Sequence, residues 1–81
     1  MKNEQELQAI VCRLILDIAP EADIDTLDHD EDLREELDLD SIDFMNLLEA
    51  VSLETGVTIS EIDYQKVNSL RSMVSYIASR H

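Results

Sequence analysis

The sequence predicts an all-α protein, and three observations lead there. Apolar residues recur at helical spacing in three separate stretches. The chain has one Gly, one Pro and no Trp, too few turn-formers and aromatics for a sheet. Pro20 and Gly56 then fall where two of the periodic stretches stop. The expected architecture is a four-helix up-and-down bundle, with three longer helices, one short helix and a long acidic loop between helices 1 and 2. At 81 residues, the expectation is a single domain over residues 1–81 with one modest core.

The first helix is carried by Leu7, Ile10, Val11, Leu14, Ile15 and Ile18, a single stripe at i, i+3, i+4 and i+7 spacing. Asn3 suits the N-cap, and Glu4 and Glu6 suit the positive end of the helix dipole. Burying such a stripe contributes about 1.5–3 kcal/mol per side chain before entropy is counted. The connection 21–40 is crowded with acids, opposed only by Arg34, yet Ile24, Leu27, Leu33, Leu37 and Leu39 punctuate it. It therefore reads as an ordered loop pinned to the core, with a short helical turn at Asp32–Leu37. Ordered loops of this length in small domains are usually functional.

The second helix is expected over Ser41–Glu54, with Ile42, Met45, Leu48 and Val51, joined by Leu47, as its apolar face. Phe44, Ala50 and Leu53 widen that face, and Gly56 suits the left-handed residue that ends a helix. Ser60 with Asp63 has capping-box spacing and predicts a short third helix over Glu61–Lys66. Ser69 is expected to cap the last helix, whose stripe is Leu70, Met73, Val74 and Ile77, with Arg80 near its C-terminus.

Nineteen acids face six bases, giving a net charge of −13. Such a surface repels nucleic acid and anionic lipid, and it favours partners with basic patches. Stable membrane insertion is not expected, because no apolar run reaches spanning length. The N-terminal residues show no signal-peptide pattern and the single Cys12 cannot form an internal disulfide, so a cytoplasmic monomer is expected.

The segment Asp40-Ser41-Ile42-Asp43 is the most telling stretch, a serine between acids at the start of a helix. A catalytic serine needs a base and an oxyanion hole. The only histidines are His29 in the acidic loop and His81 at the end, and no G-x-S-x-G elbow exists. An enzyme is therefore not expected. The physics favours a serine modified by another protein, since free N–H groups and the dipole stabilise a phosphate ester at a helix N-terminus. Asp40 or Ser41 serving only as an N-cap is the plainer reading of the same residues.

Leu37-Asp38-Leu39-Asp40-Ser41-Ile42-Asp43 resembles the prosthetic-group attachment site of acyl carrier proteins, a family with an L-G-x-D-S-[LI]-D run inside a four-helix bundle. The resemblance extends through the first helix, the acidic loop, Gly56-Val57-Thr58-Ile59-Ser60 and Ser69-Leu70. It implies that Ser41 carries 4′-phosphopantetheine, moved from coenzyme A by a phosphopantetheinyl transferase. It also implies that the arm presents acyl intermediates, held as thioesters, to enzymes of fatty-acid, polyketide or related biosynthesis. Asp40 and Asp43 would be read by the transferase, and Ile42, Phe44, Met45 and Asn46 by acyl-transferring and acyl-modifying partners with basic docking patches. The alternative is an unmodified acidic helical module that only binds proteins.

Departures from the family pattern point to a specialised rather than a housekeeping member. Asp38 stands at the usual glycine and must tolerate a positive φ if the turn demands one. Asn46, Ser52 and Leu53 replace common glutamates, Thr55 replaces a large apolar residue, and Ser60 a frequent proline. Met45, Leu48, Val51, Ile59, Ile62, Leu70, Met73 and Val74 are expected in the interior, either as plain core or as shelter for a chain. A dedicated metal site is not expected: an EF-hand frame on Asp28, Asp30 and Asp32 puts Leu33 at the required Gly and Leu39 at the required Glu. Cys12 is expected to be a partly buried structural thiol, and Tyr64 and Tyr76 half-buried packing residues.

Overall fold

The computed structural model describes residues 3–80, which are mostly helical with no strand among them. His81 lies outside the described residues. Helix α1 spans Glu4–Ile18, and Asn3 caps it by accepting the Glu6 N–H at 2.9 Å. Its buried residues are Leu7, Val11, Leu14 and Ile15, the stripe that periodicity marks, with Ile10 and Ile18 packed at its edge. The helix closes with the Ala19 N–H donating to the Ile15 carbonyl, one residue before Pro20.

The acidic connection is ordered by its aspartates. The carboxylates of Asp23, Asp28 and Asp32 each accept the backbone N–H two residues on, at 2.8–3.1 Å. Short acidic side chains bend the chain by such local bonds, so part of this charge is turn chemistry. A 3₁₀ turn forms at Ile24–Thr26 and a single-turn helix, α2, at Leu33–Glu36. Leu27, Leu33 and Leu39 are buried and anchor the connection. Its middle is tied to the start of the last helix by Leu33 N–H to Asn68 carbonyl (2.7 Å) and Arg71 N–H to His29 carbonyl (2.9 Å). The Arg71–Asp30 ion pair lies over the same junction.

Helix α3 spans Ser41–Thr55 and ends at Gly56, where φ is +75°. Its buried face is Phe44, Leu47, Leu48, Val51 and Thr55. The expected face is therefore corrected: Ile42 is 68% exposed, Leu53 87%, and Met45 also faces solvent. Because α3 is apolar on more than one side, periodicity alone does not choose its phase, and packing against α1 does. Buried Thr55 donates its hydroxyl to the Val51 carbonyl at 2.7 Å and accepts from the Val57 N–H, so its polar atom is satisfied.

The segment after Gly56 also departs from expectation. Glu61–Val67 is a 3₁₀ helix, and Ser60 makes no side-chain cap. Asp63, the expected partner of that cap, instead accepts the Tyr76 hydroxyl at 2.7 Å and pairs with Lys66. Ile62, expected inside, is 88% exposed. The reciprocal capping box lies further on, at Ser69 and Ser72, and opens α4 over Leu70–Arg80. The buried residues of α4 are Leu70, Met73, Val74, Tyr76 and Ile77, and Arg80 stacks over the Tyr76 ring 3.7 Å from its centroid. Tyr76 is thus more deeply placed than expected, while Tyr64 is half-buried. Helix α1 packs against both α3 and α4, and α4 against the 3₁₀ helix. Cys12 is half-buried against the core, and desolvation raises its thiol pKa above the ordinary value.

Candidate functional site

The chain reaches Ser41 through a turn that few residues accept. Asp38 has φ 54°, in the left-handed region, where aspartate is among the better-tolerated non-glycine residues. The left-handed φ is the conformation that the resemblance called for at Asp38. Leu39 follows and is buried, and its N–H donates to the Arg34 carbonyl at 2.9 Å. Asp40 is extended, with φ −84° and ψ 179°, and its carboxylate accepts the Asp43 N–H at 2.8 Å. Asp40 is therefore the N-cap, and Ser41 is the first residue of α3.

That division of labour frees the serine. With the cap supplied by Asp40, the Ser41 hydroxyl has no backbone duty and stands exposed. Its hydrogen-bond partner is the Arg34 guanidinium, whose Nη2 donates to Oγ at 3.1 Å. Arginine does not serve as a base at ordinary pH. Among the described residues, no histidine or carboxylate hydrogen-bonds this hydroxyl.

Ser41 stands at the rim of an open groove of about 570 Å³. One wall is Asp32, Arg34, Phe44 and Met45, and the other is Tyr64, Gln65 and Asn68 from the 3₁₀ helix and its end. Phe44 meets Tyr64 edge-on, with ring centroids 6.5 Å apart and planes at 89°. Beyond Tyr64 a second, more apolar groove of about 350 Å³ runs past Leu48, Ser52, Leu53 and Ile59. The wall bearing Tyr64 is held to α4 by the Tyr76–Asp63 bond. The Tyr76 hydroxyl, and then Lys66, hold the Asp63 carboxyl below the usual carboxylate range. The same bond to Asp63 holds the Tyr76 hydroxyl pKa above its usual value.

Of the residues singled out from sequence, Asp40, Ser41, Ile42, Met45 and Asn46 are exposed at the start of α3, and Asp43 is half-buried. Phe44 is the exception: it is 5% exposed, so it forms groove wall and core rather than projecting to a partner. Arg34 and the facing residues Tyr64, Gln65 and Asn68 went unmarked as site residues. The signal for Arg34 was present in the sequence, as the lone base in the acidic connection. Among the described residues, no cluster of three or more His, Cys, Asp or Glu side chains could hold a metal ion, and no helix is long and apolar enough to cross a membrane.

The described residues thus place an exposed serine at a helix start, beside an arginine and an open groove. The family comparison is specific: residues 5–77 match the phosphopantetheine attachment site model, and the chain belongs to that family. It is a phosphopantetheine carrier, and its prosthetic group is covalently attached 4′-phosphopantetheine. Carrier domains of this family are typically non-catalytic and interact with a phosphopantetheinyl transferase and with biosynthetic enzymes in general. A search of curated proteins finds no match to the sequence.

Proposed function

We propose that Ser41 is the attachment residue and that the protein, folded as one up-and-down four-helix domain over residues 1–81, is an acyl carrier. The observation that carries this reading is the freed hydroxyl: Asp40 takes the cap, and Ser41 stands exposed beside an arginine at the rim of a groove. These residues fit the group. The helix start and the Arg34 guanidinium favour a phosphate ester, and the groove offers polar side chains to an amide-containing arm. When attached, the group supplies a thiol that holds an acyl or related intermediate as a thioester. The chain's own work is presentation, not catalysis.

Asp40 and Asp43 are the proposed recognition points for the transferase. Ile42, Met45 and Asn46 are proposed to meet acyl-transferring and acyl-modifying enzymes, with exposed Leu53 and Ile62 extending the apolar part of that face. The high negative charge suits basic docking patches: it speeds encounter, while exposed ion pairs add modest affinity and leave release quick. Fatty-acid, polyketide and related pathways all fit this chemistry, in a specialised carrier acting as a cytoplasmic monomer. The test is incubation with coenzyme A, Mg²⁺ and a promiscuous phosphopantetheinyl transferase, read by intact mass. The wild-type chain gains one phosphopantetheine and Ser41→Ala gains none. An unchanged wild-type mass would favour an unmodified acidic interaction module.

A further inference from the structure

We propose that Arg34 is the phosphate-binding residue of the loaded carrier. Its guanidinium pairs with the phosphodiester joining the prosthetic group to Ser41 and directs the start of the arm into the adjoining groove. This rests on Ser41 being the attachment residue.

Arg34 stands apart from the chain's other described bases. The other described bases are engaged: Arg13 with Glu54, Lys66 with Asp63, Arg71 with Asp30, and Arg80 over the Tyr76 ring. Arg34 lies among Glu31, Asp32, Glu35, Glu36 and Asp38, yet among the described residues it forms no ion pair with any of them. Its guanidinium rests on the Ser41 hydroxyl instead.

Backbone bonds on either side of Arg34 hold it in place relative to Ser41. The Arg34 N–H donates to the Asp32 carboxylate at 2.8 Å, and the Arg34 carbonyl accepts the Leu39 N–H at 2.9 Å. One residue thus anchors α2, braces the turn that delivers Ser41 and supplies the cation beside it.

The chemistry of the Arg34–Ser41 contact suits an ester. Guanidinium is only a donor, so the contact uses a lone pair of Oγ and not its proton. Esterification removes that proton and leaves the contact possible, whereas a carboxylate accepting from Ser41 would lose its bond. The new phosphate oxygens lie two bonds beyond Oγ, across the phosphorus, and the guanidinium fork matches their geometry. Charge points the same way. The ester adds an anion to a site bordered by Asp32, Asp38, Asp40 and Asp43, and the α3 dipole offsets only about half a charge. Arg34 is the cation already in place to offset the rest. With the phosphate drawn toward α2, the arm begins beside Asn68 and Gln65, on the groove's facing wall.

The test uses wild type, Arg34→Gln and Arg34→Lys, each loaded to completion as judged by intact mass, so that transferase preference is removed. A wild-type chain that gains no mass would overturn the Ser41 reading, and this one with it. With loading complete, two readouts address Arg34 alone. In the wild type, the Arg34 Nε–H resonance shifts and its exchange with water slows on loading; this needs no variant. In the loaded set, the ³¹P resonance of Arg34→Gln moves away from the wild-type position, Arg34→Lys falls between, and added salt moves the wild type toward Arg34→Gln. A structural role alone would lower the melting temperature of unloaded and loaded forms equally. The inference requires instead that the change on loading be less favourable in Arg34→Gln than in wild type. An unmoved Arg34 Nε–H, or ³¹P positions and salt responses that coincide across the three proteins, would overturn it.

Discussion

The starts of α3 and α4 use the same residue type and treat it in opposite ways. At α4, Ser69 is 7% exposed and its hydroxyl is consumed locally: it accepts the Ser72 N–H at 3.1 Å and bonds the Ser72 hydroxyl at 2.8 Å. At α3, Asp40 accepts the N–H that a capping serine would have taken, and Ser41 sits one residue further in, exposed. A helix start needs only one capping side chain. Where serine is the cap its hydroxyl is occupied, and where aspartate relieves it the hydroxyl is left exposed. Ser60 gives a third case: its expected partner Asp63 is drawn to Tyr76, and no cap forms.

The largest effect comes from exchanging the two serines' fates. Ser69→Ala loses its capping bonds and should cost about 0.5–2 kcal/mol. A thermal melt reads this as a loss of roughly 4–8 °C per kcal/mol for a domain of this size. Its loading with phosphopantetheine should be unchanged. Ser41→Ala should do the reverse, melting within about 0.5 kcal/mol of wild type, as surface substitutions usually do, and accepting no group. Asp40 sharpens the contrast next, because it both caps and carries charge. Asp40→Ala should lose about 1 kcal/mol of stability. Asp40→Asn should keep the cap, so slowed loading in a normally melting Asn variant isolates recognition by the transferase.

The Ser60 start is tested through Tyr76→Phe, which removes the hydroxyl that draws Asp63 away. The Asp63 carboxyl is lowered by its partners, so its contribution is complete above the ordinary carboxylate range and is lost as pH falls through its folded value. The Tyr76 hydroxyl is raised, so its share is complete below its ordinary value and is lost as pH rises through the folded one. The melting gap between wild type and Tyr76→Phe should therefore be widest at neutral pH and close below about pH 4 and above about pH 10. A gap constant across that range would contradict the bond. The smallest effect is expected at Asp38, whose φ is 54°. Asp38→Gly should stabilise by less than about 1 kcal/mol, since relief of the left-handed backbone is partly offset by glycine's entropy.

How much of this was legible in the sequence depended on how sharply each segment's pattern pointed. Helices α1 and α4 each carry one apolar stripe with a polar remainder, so Leu7 to Ile15 and Leu70 to Ile77 were found in their buried positions. Helix α3 has Ile42, Phe44, Met45, Leu47, Leu48 and Leu53 around much of its circumference. Several phases satisfy such a pattern, so it did not separate Phe44, which is buried, from Ile42, which is exposed. The serine-to-acid spacing pointed to a cap at Ser60, but a distant tyrosine takes the acid and none forms, whereas the box at Ser69 is completed by Ser72, a serine in place of an acid. The Arg34–Ser41 contact depends on a turn at Asp38 bringing two short elements together, and no local periodicity encodes it. The position of Ser41 at the start of α3 was legible, because an Asp-Ser pair behind a leucine-punctuated acidic loop is a dense helix-start signal.

Fragmentation of the loaded chain in a mass spectrometer tests the central claim most directly, because the sequence offers seven serines to the transferase. A single phosphopantetheine on Ser41, with Ser69 and the other five unmodified, is the predicted result. The group found on any other serine, or a second serine accepting it when Ser41 is replaced by alanine, would contradict the account.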